Sequence, residues 1–195
     1  MVSNRPKSLQ LQESIKVRIP AFPPRNDPNF DTKLELGSLY YMRFAMSYIG
    51  DIRRDIGHAP MLSVGATVVV LKENKILLNL RSDTNTWGIP GGAIELGETL
   101  EETAARELKE ETNLIATHFT LLNVFSGKNF YFKYPNGDEL YSVVTLYLAN
   151  DVTGDLRISD GESFELKYFG KDELPNLESR AKVLIDWLRE NRYIL

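Results

Sequence analysis

Glu107, Glu110 and Glu111 stand three and four residues apart in a segment whose apolar positions Leu100, Ala104 and Leu108 repeat with a helical period. On a helix that spacing brings three carboxylates to neighbouring points of one side. Like charges so placed each destabilise a helix by about 0.2–0.5 kcal/mol. Arg106, which can reach Glu102 or Glu110, offsets only part of that repulsion. A bound Mg²⁺ would offset more, because hard divalent cations take oxygen ligands and share their shell with water and phosphate. For the helix taken alone, a solvated acidic face is the plainer alternative. Thr99 and Glu102 have the spacing of a capping box, which starts the helix. Ahead of it, Pro90-Gly91-Gly92 and then Gly97 make a loop whose glycines let the backbone approach a ligand and turn carbonyls toward a cation.

The stretch from Trp87 to Leu114 resembles the Nudix box. That pattern is a glycine, five residues, a glutamate, seven residues, Arg-Glu, an aliphatic residue, any residue, Glu-Glu, any residue, a glycine and an aliphatic residue. Gly92, Glu98, Arg106, Glu107, Leu108, Glu110, Glu111 and Leu114 fall in register. Asn113 stands where the box has its last glycine, and asparagine is the next-best residue for the left-handed turn that ends a helix. The wider likeness covers about Met61 to Leu174.

The resemblance implies a fold, a chemistry and a set of roles. The fold is α/β (α+β), a mixed β-sheet between helices. The chemistry is attack of water on one phosphorus of a diphosphate linkage, with Mg²⁺, or Mn²⁺ in its place, stabilising the oxygens. Glu107, Glu110 and Glu111 would hold the metal, with the Gly92 carbonyl as an additional ligand and Glu98 as a further one, often through water. Arg106 would orient Glu107 through a charge-assisted contact that suits a guanidinium. The general base is either Glu107 or an acid of the Asp160–Glu165 stretch, with Glu162 ahead of Glu165; loop solubility is the competing reading for those later acids. The implied substrate is a nucleoside diphosphate linked to another group: a nucleotide sugar, ADP-ribose, a dinucleoside polyphosphate or a nucleoside triphosphate. The rival reading is a Nudix-like module that senses a nucleotide without cutting it, against which all four box glutamates stand intact.

Substrate contacts are less legible. Arg81, at the end of a strand that leads to the loop, could meet a phosphate or be a surface charge. Trp87 could stack on a base or pack in the core. Gly91 brings backbone to the ligand. Tyr141 belongs to an aromatic-rich hairpin with Tyr131, Phe132, Tyr134 and Tyr147, of which alternation puts only some on any one face.

The remaining elements have to position this site. Leu39, Met42, Met46, Ile49, Ile52 and Ile56 predict an amphipathic helix from Ser38 to Ile56. Ser63–Leu71 and Ile76–Arg81 read as a hairpin, and Phe119–Phe125, Phe130–Tyr134, Glu139–Leu148 and Phe164–Phe169 as further strands. Asn136-Gly137 is a strong hairpin turn between two of these. Ala181, Leu184, Ile185 and Leu188 form the apolar stripe of a last helix, Glu178–Asn191.

The bulk properties agree with one domain over residues 38–195. The chain has 195 residues, 43% of them hydrophobic and 26% charged, and the absence of cysteine excludes thiolate ligands, thiolate nucleophiles and disulfides. The net charge of −4 gives no footprint for DNA, and nothing after Leu174 reads as a DNA-binding domain. No apolar run spans a membrane, so the expected location is cytoplasmic. His58 and His118 lack metal-ligand spacing. Residues 1–37 carry five prolines and no periodicity. They read as a flexible native leader, a segment packed on the body or a partner, or a leader derived from expression. With the first helix they could also serve a homodimer.

Overall fold

A computed structural model describes residues 47–159 and 161–194. The expected leader over residues 1–37 and the expected helix before residue 47 lie outside that range.

The first described helix, α1, runs over Tyr48–Ile56. Ser47 caps it in an extended conformation, with its side chain accepting from the Gly50 N–H, so one continuous helix from Ser38 to Ile56 is ruled out at Ser47. The expected apolar face is also corrected. Gly50 and Arg53 are the buried positions, and Ile56 is exposed. The reason is polar anchoring, described below, which outweighs the spacing of the isoleucines.

The strands form two sheets where one was expected. In the first, β1 (Met61–Val69) lies between β5 (Gly91–Ala93) and β8 (Glu139–Asn150). β6 (His118–Phe125) and β7 (Tyr131–Lys133) both pair with β8. The β1–β8 pair is parallel and the others antiparallel, so this sheet is mixed. In the second, β3 (Lys75–Arg81) pairs antiparallel with β2 (Leu71–Lys72), β4 (Trp87–Gly88) and β9 (Ser163–Phe169). The expected hairpin therefore forms between β2 and β3, about Glu73 and Asn74 with φ of 52° and 58°. The longer β1 pairs elsewhere. The Asn136-Gly137 hairpin joins β7 to β8 as expected, with Gly137 at φ 96°.

Helices α2 (Leu100–Thr112) and α3 (Ser179–Glu190) cover two cores. Beneath α2, Ala104 and Leu108 pack with Val68, Val70, Leu77 and Tyr147. Beneath α3, Ile185 and Leu188 pack with Val69, Ile76, Leu78 and Leu146. Successive residues of a strand point to opposite faces, so β1 and β3 each feed both cores and the sheets lie between the two helices. The architecture is α+β, a mixed β structure between helices. Among the described residues no helix is long and apolar enough to cross a membrane.

Candidate active site

The capping box forms as its spacing predicts. The Glu102 N–H donates to Thr99 Oγ1 at 3.2 Å, and the Thr99 N–H donates to Glu102 Oε2 at 2.7 Å. Asn113 ends α2 in the left-handed region, φ 60° and ψ 11°, so the place of the missing glycine keeps a helix-ending turn. With α2 seated on its Ala104 and Leu108 face, Glu107 and Glu111 are drawn inward to 5% and 2% exposure, while Glu110 stays at the rim.

Arg106 gathers the carboxylates. Its Nε donates to Glu98 Oε1 at 2.6 Å and its Nη2 to Glu98 Oε2 at 2.9 Å, a two-pronged pair. Nη2 also donates to the Ala93 carbonyl at 2.9 Å, and Nη1 donates to Glu107 Oε1 and, at 3.1 Å, to Glu110 Oε2. Of the two partners weighed from spacing, Arg106 takes Glu110, while Glu102 is held in the cap. Burial alone would push the guanidinium pKa down, but these carboxylates outweigh it and the net shift is upward. Arg106, with help from the Glu95 N–H and the Thr103 hydroxyl, holds the Glu98 carboxyl down to about 2. Both Glu98 oxygens accept hydrogen bonds, Oε1 from Arg106 and Oε2 from Arg106, the Glu95 N–H and the Thr103 hydroxyl.

The Gly91-Gly92 backbone closes the other side. It forms β5, where a loop was expected, and pairs with Ala66 and Thr67 of β1. A Cβ at Gly92 would lie 2.6 Å from Glu107 Cδ, so the Glu107 carboxylate rests in space that only glycine leaves open. The Gly91 N–H donates to Glu111 Oε2 at 3.2 Å, giving Gly91 a contact within the site as well as a place on its wall. Asn79 of β3 donates to the same oxygen at 3.3 Å.

These groups sit on a cleft of about 1570 Å³. Arg106, Glu107 and Glu110 line it, together with residues of α1, of the Tyr134–Asp138 turn and of α3, Arg180 and Leu184 among them. Arg81 and Glu162 also line it. Arg81 is no loose surface charge: it forms a two-pronged pair with Asp83, at 3.0 Å from Nε and 2.5 Å from Nη2, and its side chain is 23% exposed. Glu162 and Phe164 line the cleft and Glu165 does not, because alternation along β9 turns Glu165 to the face opposite Phe164.

Two expected substrate contacts stand elsewhere. Trp87 packs edge-on against Phe169, ring centres 4.7 Å apart, in the core beneath α3. Tyr141 does not line the cleft. Its neighbours Leu140 and Ser142 do, so strand alternation turns Tyr141 to the opposite face, against Tyr131 with ring centres 5.0 Å apart.

Sequence reasoning missed four residues. Arg53 of α1, buried, donates to the carbonyls of Ala59 and Glu139 at 2.6 Å each and lies 3.8 Å from Asp138. Asp138, also buried, pairs with His58 Nδ1 at 2.7 Å, which gives that histidine a structural role. Arg180 sits over the Phe132 ring at 4.5 Å and pairs with Glu178 at 3.1 Å. Only Asn79 had a signal, as the lone polar residue in Ile76-Leu77-Leu78-Asn79-Leu80.

The donor chemistry fits a hard divalent cation. Glu98, Glu107, Glu110 and Glu111 bring four carboxylates together around the Arg106 guanidinium, and two of them are nearly withdrawn from water. Among the described residues, no three acidic or histidine side chains already converge on one point, and Arg106 lies among the carboxylates of Glu98, Glu107 and Glu110. Gly92 leaves room for Glu107, and no cysteine thiolate is present to offer a soft donor.

An α+β sandwich with a glutamate-rich helix under a Gly-Gly strand defines a class of metal-assisted hydrolases acting on phosphorus anhydrides. Residues 61–188 match the NUDIX domain, and the chain belongs to the Nudix family of hydrolases. It is 33% identical over 131 residues to an ADP-ribose pyrophosphatase of Methanocaldococcus jannaschii, covering 65% of this chain and 73% of that one. The crystal structure of a MutT Nudix hydrolase from Burkholderia pseudomallei superposes with a TM-score of 0.56 at 27% identity, over 65% of this chain and 97% of that one. The Nudix domain of Shewanella oneidensis NrtR, solved with ADP ribose, gives 0.53 at 25% identity, over 74% and 96%. Helix α1 precedes the matched span yet lines the cleft.

Proposed function

We propose that this protein hydrolyses, with Mg²⁺, the diphosphate linkage of a nucleoside diphosphate joined to a second group, and that ADP-ribose is the first substrate to try. The observation that carries this reading is the pair Glu107 and Glu110, held by Arg106 on a cleft of about 1570 Å³, with the Glu111 carboxylate buried behind them. That volume exceeds the usual range of about 300–1,000 Å³ for small-molecule sites, which favours an extended two-part ligand. The ADP-ribose relatives described above support the choice of substrate.

When bound, the cation supplies charge stabilisation to the diphosphate oxygens and lowers the pKa of the attacking water. Glu107, Glu110 and Glu111 would hold it, and Arg106 keeps Glu107 in place. Water oxygen forms a bond to one phosphorus, the bridging P–O bond breaks, and the bridging oxygen leaves on the other phosphate. For ADP-ribose the products are AMP and ribose 5-phosphate. The proton goes to a carboxylate on the cleft wall, Glu107 or Glu162. Arg81, steadied by Asp83, offers its guanidinium to a phosphate oxygen.

The test is product release from ADP-ribose, a nucleotide sugar, a dinucleoside polyphosphate and a nucleoside triphosphate, each with Mg²⁺ or Mn²⁺. Glu107→Gln and Glu110→Gln should each lower the rate by about 10²–10⁴-fold. A wild type that binds one member with metal but cuts none would replace hydrolysis with nucleotide sensing.

A further inference from the structure

Asn79 is 2% exposed in the apolar centre of β3. Its Nδ2 donates to Glu111 Oε2 at 3.3 Å and to Ser163 Oγ at 3.2 Å. The orientation of the amide follows from these partners. Turned over, it would press Oδ1 against a carboxylate oxygen, acceptor against acceptor. With Nδ2 committed to Glu111, Oδ1 is left buried without a hydrogen-bond partner, the only such side-chain nitrogen or oxygen among the described residues. It faces the Gly88 α-carbon, where an added Cβ would lie 3.1 Å away, and Gly88 lines the cleft.

A buried acceptor without a donor carries its full desolvation penalty, and leucine at this place in the strand would carry none. The orientation that strands Oδ1 is the one that gives the buried Glu111 carboxylate a donor, so the cost is tied to holding that carboxylate. Side chains one step behind metal ligands commonly fix those ligands.

We infer that Asn79 is a positioning residue of the metal centre. Its Nδ2, together with the Gly91 N–H, holds the Glu111 carboxylate, and the stranded Oδ1 is the cost of that orientation. The inference rests on the metal-dependent reading of the site proposed above.

Titration of the full chain with Mn²⁺ alone, without substrate, tests it, alongside thermal unfolding in chelator and in saturating Mn²⁺. Asn79→Leu, close to the original volume, should weaken Mn²⁺ binding by about 10–100-fold. Its unfolding midpoint in chelator should change little, because the unpartnered acceptor is gone while Glu111 loses one donor and keeps the Gly91 N–H. Ser163→Ala, which removes the other partner of Nδ2 and leaves Glu111 untouched, should change Mn²⁺ affinity by less than about threefold, well below that range. Wild-type Mn²⁺ affinity in Asn79→Leu overturns the inference while the metal reading stands. So does an unfolding midpoint lowered equally with and without Mn²⁺, which would make Asn79 a packing residue. A wild type that binds no Mn²⁺ removes the metal reading itself, and the inference with it.

Discussion

The Glu107 carboxylate lies against the α-carbon of Gly92, a residue fifteen positions earlier in the chain, with no room between them for a methyl group. The contact joins the acidic side of α2 to the β5 backbone. It makes one hydrogen atom at Gly92 a condition for where the carboxylate sits.

Gly92→Ala should therefore displace Glu107 or the strand while leaving every charge in place. A displacement of about 1 Å at a reacting centre costs on the order of 10²-fold in rate. We expect a loss of that size in kcat for the preferred substrate, with weaker Mn²⁺ binding by titration. Unchanged kcat would mean that Glu107 does not need this seat.

Arg53 is the anchor of α1. It draws together the carbonyls of Gly57, Ala59 and Glu139 and faces the buried Asp138. Removing one partner of such a buried pair typically costs about 3–5 kcal/mol. Since His58 still pairs with Asp138, Arg53→Ala should fall near the lower end, read by urea unfolding. Because α1 lines the cleft, KM should rise as well, with Mn²⁺ affinity retained. Lysine cannot span three carbonyls with a rigid fork, so Arg53→Lys should recover only part of either loss.

Asn113 occupies the left-handed position at the end of α2 and bonds through its side chain to the Asp155 carbonyl and to Lys109. Asn113→Ala keeps neither the bonds nor the tolerance for positive φ, and should lower stability by about 1–2 kcal/mol. Asn113→Gly gains in conformation what it loses in bonds, and should stay within about 0.5 kcal/mol of wild type in the same unfolding measurement. Equal losses for both would show that the side-chain bonds matter and the turn does not.

The acid side of the stability profile should carry the Glu98–Arg106 pair. Arg106 lowers the Glu98 carboxyl from its ordinary 4.5 to about 2. A carboxyl with a depressed folded pKa contributes stability that is fully present above the unfolded value and is lost as pH falls through the folded one. The contribution should therefore be complete above about pH 4.5 and fade toward pH 2. Denaturant unfolding in chelator should show Glu98→Gln less stable than wild type at pH 6, with the gap narrowing at pH 3. A gap independent of pH would assign the loss to geometry and not to charge.

Much of the site was legible in the amino-acid order because its information is local. The helical spacing of Glu107, Glu110 and Glu111, the Thr99–Glu102 cap, the Asn113 turn and the Asn136-Gly137 hairpin each depend on residues within a few positions of one another. The apolar stripe of α3 belongs with them. Periods of two and 3.6 residues are properties of short segments, and they survive whatever the rest of the chain does.

Tertiary structure alone decided which segments meet. Nothing local says that β1 leaves β3 for a parallel pairing with β8, that Asn79 reaches Glu111 across 32 positions, or that Arg53 reaches Glu139 across 86. Nor does it say that Arg106 prefers Glu98 to Glu102, since one is brought near by a loop and the other is consumed by a cap. Tyr141 shows the same limit within one strand. A one-residue change of register would have turned it toward the cleft, and that register is set by β1 and β7 on either side. The amino-acid order by itself determined the acidic helix and its chemistry. The pairing of distant strands, which no short-range periodicity encodes, decided what stands around it.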